Sequence, residues 1–208
     1  MTDAQRPGAG AWVPDSDDVD ALREAAHACR GCELWRDATQ VVFGDGDQSA
    51  RLMLVGEQPG DKEDLAGEPF VGPAGRILQD ALAAAGIGSD RVYLTNAVKH
   101  FRFQQRGKRR IHEKPQVAHI TACHPWLEAE IRSVQPAVIV CLGATAARAV
   151  LGRDVRIGQE RGMRQESGGR AVVVTAHPSA IVRMRDHDER ERALAALVDD
   201  LRLAATEA

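Results

Sequence analysis

Four short, nearly unbroken apolar runs punctuate the chain, at 52–55 (LMLV), 92–98 (VYLTNAV), 137–142 (AVIVCL) and 171–175 (AVVVT). Runs this short, bounded by polar and glycine-rich stretches, predict strands buried on both faces. Between them the apolar spacing changes to three and four. The segments 74–85, 117–133 and 144–151 read as amphipathic helices, and a last helix is expected at about 189–205. An acidic start at Asp18 predicts a short helix over 18–28, after a Gly-, Ala- and Pro-rich lead-in over 1–15 expected to be flexible. Strands alternating with helices predict an α/β fold, a three-layer α/β/α sandwich around a central four-stranded, mostly parallel sheet, with residues 16–208 forming a single domain. Ligands of such folds bind beyond the carboxyl ends of the strands. The polar segments 56–75, 99–114, 143–145 and 177–179 each directly follow an apolar run, so they are expected to converge on one cleft.

Composition narrows the possibilities. A chain of 208 residues, 44% hydrophobic, can bury one substantial core. No apolar run approaches a membrane span, and the first residues lack the apolar core of a signal peptide, so a cytoplasmic monomer is expected. A net charge of −3 argues against attraction to nucleic acid over the whole surface, and any DNA contact must be a local basic patch. The four cysteines, in a reducing compartment, read as ligands or core residues.

The segment GEQPGDKEDLAGEPFVGPAG (56–75) is too dense in glycine, proline and charge for a plain connector. It lacks the Gly-Lys-Ser/Thr ending of a Walker loop and the spacing of a dinucleotide fingerprint, so no nucleotide cofactor is expected. Cys29 and Cys32, in CRGC, have metal-ligand spacing, and Cys123 is the natural third ligand, while Cys141 sits in an apolar run and reads as a core thiol. Zinc and an iron-sulfur cluster both fit such ligands. The run Lys108, Arg109, Arg110 taken alone reads as a solvated basic face.

GEQPG after one strand, LTNAV ending the next and HPS after the last resemble the motifs of the family 4 uracil-DNA glycosylases, a likeness that covers most of the chain. The insertion GKRRIH and the histidine in VKHF are similar to the UdgX subgroup in particular. The resemblance implies an enzyme acting on uracil-containing DNA, single strands preferred, with a [4Fe-4S] cluster. It suggests the ligand set Cys29, Cys32, His100 and Cys123, with an imidazole in place of a fourth thiolate. It also gives His112 the part of a nucleophile that stays joined to the abasic sugar, with Glu57 as its partner and Gln58, Asp61 and Asp64 in support. Asn96, Phe70 and Gly60 would then hold uracil, since an amide fixed in one orientation meets the N3 donor and O4 acceptor of uracil but not the reversed pattern of cytosine. His177 would face the uracil O2, and Lys108, Arg109, Arg110, Ser179 and Arg183 would contact DNA, with Lys108, Arg109 and Arg110 also fixing the loop that carries His112. Two alternatives stay open at this point: a hydrolytic glycosylase that turns over, and a metal-stabilised module that binds single-stranded DNA without catalysis.

Overall fold

The computed structural model describes residues 6–208. The four apolar runs form parallel strands β2 (Leu52–Gly56), β3 (Val92–Asn96), β6 (Val138–Leu142) and β8 (Arg170–Thr175). Short antiparallel strands β1 (Asp45–Gly46) and β7 (Arg164–Ser167) extend the sheet at its edges, so it has six strands rather than four, in the order β1-β3-β2-β6-β8-β7. The register sets Gly56 opposite Asn96 and Leu142 opposite Thr175. The chain therefore leaves the parallel strands along a common edge, where the loops begin.

Helices cover both faces of the sheet. Alternation along β2 sends Met53 and Val55 into one apolar cluster and Leu52 and Leu54 into the other. On the first face pack α1 (Val19–Ala26), α4 (Val117–Val134) and α5 (Ala144–Leu151), with Trp126 fully buried. The second is covered by α3 (Pro73–Ala85), α7 (Pro178–Arg183) and α8 (His187–Glu207). Helix α1 begins where Asp18 accepts the Asp20 amide proton at 2.8 Å, and α8 where Asp186 accepts that of Glu189 at 2.7 Å, so each helix is capped by its preceding aspartate. No helix among the described residues is long and apolar enough to cross a membrane.

Beyond the two extra strands, the structure departs from the sequence reading in two places. The lead-in expected to be flexible is packed over its described part. The Gly8 amide donates to Gly31 O at 3.0 Å, Ala9 is 1% exposed, and the Arg6 guanidinium grips Glu33; residues 1–5 lie outside the described residues. The segment 99–114 contains a hairpin, β4 (Phe103–Arg106) paired with β5 (Arg109–His112), with Gly107 at φ 57° in its turn.

Candidate active site

A cleft of about 580 Å³ opens at the carboxyl edge of the parallel strands, and residues from all four expected segments line it. Its floor is the end of β2. A Cβ built on Gly56 would lie 2.3 Å from Asn96 Oδ1 and 2.7 Å from Phe70 Cζ, so only glycine lets the amide and the ring meet over the strand end. Asn96 is 3% exposed, and its side chain makes no hydrogen bond among the described residues. None of those residues has a fully buried polar side-chain atom without a partner, so the Asn96 amide opens into the cleft it lines.

Phe70 is at once cleft wall and core edge, packing with Ile77 and Leu78 beneath. Its backbone is left-handed, φ 58°, which is rare for a bulky residue and persists only where the surroundings enforce it. Part of that enforcement is Gly75, whose Cβ would stand 1.6 Å from the Phe70 carbonyl oxygen. Gly60 precedes helix α2 (Asp61–Ala66), and the Glu63 carboxylate accepts from the amides of both Gly60, at 3.1 Å, and Gly72, at 2.8 Å. Glu63 thus clips the two ends of the loop together. Sequence reasoning missed it, although a glutamate three positions after a helix start is a capping signal.

On β5 successive side chains point to opposite faces, so Arg110 and His112 turn inward while Arg109 and Ile111 face solvent. The Arg110 guanidinium bonds Asp61 at 2.6 Å and Thr39 Oγ1 at 3.0 Å, pairs with Asp64, and lies over Phe101 and Phe103 at 5.6 and 5.2 Å. Arg110 is therefore not available as the phosphate contact expected of it. Asp64 is fully buried, accepts the Thr39 amide proton at 3.0 Å and does not line the cleft, so its support takes the form of anchoring the hairpin. Asp61 lines the cleft but is committed to Arg110. Lys108 and Arg109 remain exposed, and neither they nor the cleft residues Lys62, Lys114 and Arg183 have an ion pair among the described residues.

His112 sits at the base of the hairpin, 45% exposed at its side chain, with Nε2 at 3.4 Å from Glu57 Oε1 and 2.9 Å from Gln58 Nε2. Gln58 is fixed by the backbone on both sides. Its Oε1 accepts from Arg102 N at 3.1 Å and its Nε2 donates to the carbonyls of Arg102 and Glu113, each at 3.1 Å. The two carbonyls take both Gln58 amide protons, so the partner left for a proton on His112 Nε2 is the Glu57 carboxylate. Burial raises the Glu57 pKa, but hydrogen bonds from His112 and Thr145 and the nearby His112 and His177 outweigh it and hold the carboxyl below its ordinary value. The Thr145 hydroxyl donates to the second Glu57 oxygen. Thr145 is a further residue that the sequence located only as part of a loop.

His177 faces the same cleft and caps α7, where Nδ1 accepts the Ser179 amide proton at 3.1 Å and lies 2.8 Å from Ser179 Oγ. Nδ1 therefore holds a lone pair, which puts the proton of the neutral ring on Nε2. Burial lowers the His177 pKa to about 4; Glu57 opposes this, and His112 and Arg183 add to it. Near pH 7 the ring is neutral and serves as a donor.

Behind the cleft lie the three thiols expected from the sequence to be ligands. Cys29, Cys32 and Cys123 are buried; Cys29 adds to the upward shift of the Cys32 thiol, and Cys29 and Cys32 both add to that of Cys123. Burial pushes Cys32 up to about 11 and Cys123 to about 12, so as thiolates they call for a compensating cation. Cys29 Sγ accepts from Trp126 Nε1 at 3.3 Å and Gly31 N at 3.5 Å, and Cys123 Sγ accepts from Lys99 N at 3.3 Å. His100 is 7% exposed, its ring makes no hydrogen bond among the described residues, and burial lowers its pKa to about 4. A buried neutral imidazole without a hydrogen bond and three buried thiols together make a donor set whose chemistry fits a metal centre. Among the described residues, only exposed His187, Asp188 and Glu191 bring three such ligand atoms within 4.8 Å of one another. Cys29, Cys32 and Cys123 therefore do not all lie within 4.8 Å of one another, whereas sulfurs around a single tetrahedral zinc stand roughly 3.8 Å apart. Cys141 stands apart, fully buried in β6.

Comparison with known proteins gives a consistent result. The family model of the uracil DNA glycosylase superfamily matches residues 43–202. The chain is 37% identical over 174 residues to a type-4 uracil-DNA glycosylase of Thermotoga maritima, covering 83% of this chain and 87% of that one. It is 35% identical over 171 residues to the type-4 enzyme of Archaeoglobus fulgidus, covering 78% and 82%. With that of Pyrobaculum aerophilum it shares 33% over 174 residues, covering 80% and 85%.

Proposed function

The chain belongs to the uracil-DNA glycosylase superfamily, and from this premise we propose that it is a UdgX-type uracil-DNA glycosylase, which removes uracil from DNA and keeps the abasic sugar joined to His112. The observation that carries the reading is His112 Nε2 at 3.4 Å from a Glu57 carboxylate held ionised, at the mouth of the cleft whose floor is the unpartnered Asn96 amide. A hydrolytic member needs a carboxylate to position water. Here an imidazole stands in front of that carboxylate.

The C1′ atom of deoxyuridine cannot be reached inside a stacked duplex, so single-stranded DNA is the preferred substrate, or the nucleotide turns out of the helix. Asn96 pairs with N3–H and O4 of the base, and Phe70 covers its face. The glycosidic bond from C1′ to N1 breaks with its electron pair leaving on uracil. The Nε2–H of His177 donates to the uracil O2 as negative charge gathers there. A ring nitrogen of His112 forms the new bond to C1′, and the cation gained is stabilised by Glu57, which takes the ring proton. The neutral N-glycosyl imidazole is a poor leaving group, so the protein reacts once. Lys108, Arg109, Ser179 and Arg183 hold phosphates around the cleft.

Cys29, Cys32, His100 and Cys123 would hold a [4Fe-4S] cluster, which when bound cross-links the CRGC loop, the turn after β3 and α4. The reaction itself runs on the chain's own side chains.

The test is denaturing electrophoresis after mixing the protein with single-stranded DNA carrying one uracil. Wild type is expected to give a heat-stable shifted band, absent with a thymine-containing strand and with His112→Ala. Uracil release without a shifted band in wild type makes the protein a hydrolytic glycosylase, and uracil-independent binding alone makes it a non-catalytic DNA-binding module.

A further inference from the structure

Between the Asn96 floor of the cleft and the thiol ligands runs a single turn, residues 96–100, and a buried lysine stands at its centre. Lys99 is fully buried, as is its ion-pair partner Glu130 on α4. An ammonium group has three protons to place. Here one goes to Thr95 Oγ1 at 2.6 Å, one to the Asn96 carbonyl oxygen at 2.8 Å and one to Glu130. Glu130 in turn accepts from Gly44 N at 3.0 Å, Tyr93 OH at 3.1 Å and Thr95 Oγ1 at 2.9 Å. The backbone of Lys99 is held as well: its amide donates to Cys123 Sγ at 3.3 Å, and its carbonyl accepts from Val42 N at 2.9 Å.

A buried ion pair contributes little net stability, because desolvating both partners offsets their attraction, yet one with every donor and acceptor matched defines a unique local geometry. The geometry this pair defines is that of the strand end. The register of β2 and β3 ends with the pair Gly56 and Asn96, and at this last residue the Lys99 ammonium donates to the carbonyl. With the carbonyl held, the Asn96 backbone is fixed, and with it the point and direction from which the side chain enters the cleft, where Oδ1 lies over Gly56.

We infer that Lys99, seated on Glu130, is a positioning residue that orients Asn96 for uracil. This rests on the reading of Asn96 as the base-recognition group. A residue that merely stabilised the fold would lower activity whatever stood at position 96. One that acts through the amide has nothing left to lose once the amide is gone.

The experiment is a double-mutant cycle read by single-turnover uracil release from a single-stranded oligonucleotide, with protein in excess. Lys99→Met/Glu130→Gln removes both buried charges together. Thr95→Val, nearly isosteric, weakens the same network gently and keeps the cycle measurable if the paired substitution fails to fold. Each is made alone and together with Asn96→Ala. With Asn96 present, the maximal rate should fall on the order of 10- to 100-fold for Lys99→Met/Glu130→Gln and less for Thr95→Val. The protein concentration giving half-maximal rate, circular dichroism and visible absorption should stay as in wild type. In the Asn96→Ala background, neither change should cost more than about twofold. Equal losses in both backgrounds, or no loss in either, overturn the inference while leaving the glycosylase reading intact. A wild-type protein that releases no uracil overturns that reading, and the inference with it.

Discussion

Replacing Glu57 by glutamine removes one charge and almost no volume, and the Thr145 hydroxyl can still donate to the amide oxygen. What is lost is the attraction between a carboxylate and the cation that His112 becomes on bonding C1′. At the observed 3.4 Å this amounts to about 5 kcal/mol at an effective dielectric of about 20. His112 is 45% exposed at its side chain, so solvent screening brings the figure to roughly half, about 2.5 kcal/mol. The capture step should slow by about 70-fold, with DNA affinity unchanged, because Glu57 touches no phosphate in this reading. Rapid-quench mixing with excess protein, followed by denaturing gels, measures it. A Glu57→Gln protein that captures DNA within about threefold of the wild-type rate would show that the carboxylate does not stabilise the reacting imidazole.

Three further outcomes are expected. Gly56→Ala drives a methyl against Asn96 Oδ1 at 2.3 Å and should lower uracil release by on the order of 100-fold, at a stability cost of about 1–3 kcal/mol seen in denaturant titration. His177 binds its proton in the folded state only near pH 4, against 6.5 when unfolded. Its contribution to stability is therefore complete above pH 6.5 and lost as the pH falls toward 4, and His177→Asn should shrink the acid loss over that window by at most about 3 kcal/mol in urea titrations across pH. Cys29→Ser should abolish bound iron and broad absorption near about 400 nm, whereas Cys141→Ser, in the core of β6, should keep both; iron analysis that finds zinc in wild type would refute the cluster.

The parts of the fold legible in the sequence were those whose side chains all meet the same environment. Strand β2 is buried at every position, so its composition alone marks it. The hairpin β4–β5 was not legible. Its strands are largely exposed on both faces, and nothing in FRFQQRGKRRIH alternates strongly enough to announce a strand. That omission decided the misplacement of Arg110, because three adjacent cations look alike until a period of two turns one of them inward. How Asp64 gives its support was hidden for the same reason, since its partner Arg110 is remote in sequence. The packed segment around Ala9 was obscured by composition: small residues read as flexible, yet here they fit against Gly31, where a Cβ would stand 2.8 Å from the Ala9 nitrogen. Asn96 and His177 were placed at the cleft by their position after apolar runs, which in a parallel sheet fixes where a side chain emerges.

The most direct test is the intact mass of the protein after incubation with a short uracil-containing single strand, followed by peptide mapping. The expected product is protein plus oligonucleotide minus uracil, in one-to-one ratio, with the added mass on the peptide containing His112. Unmodified protein accompanied by free uracil, or an adduct on any other residue, would contradict capture by His112.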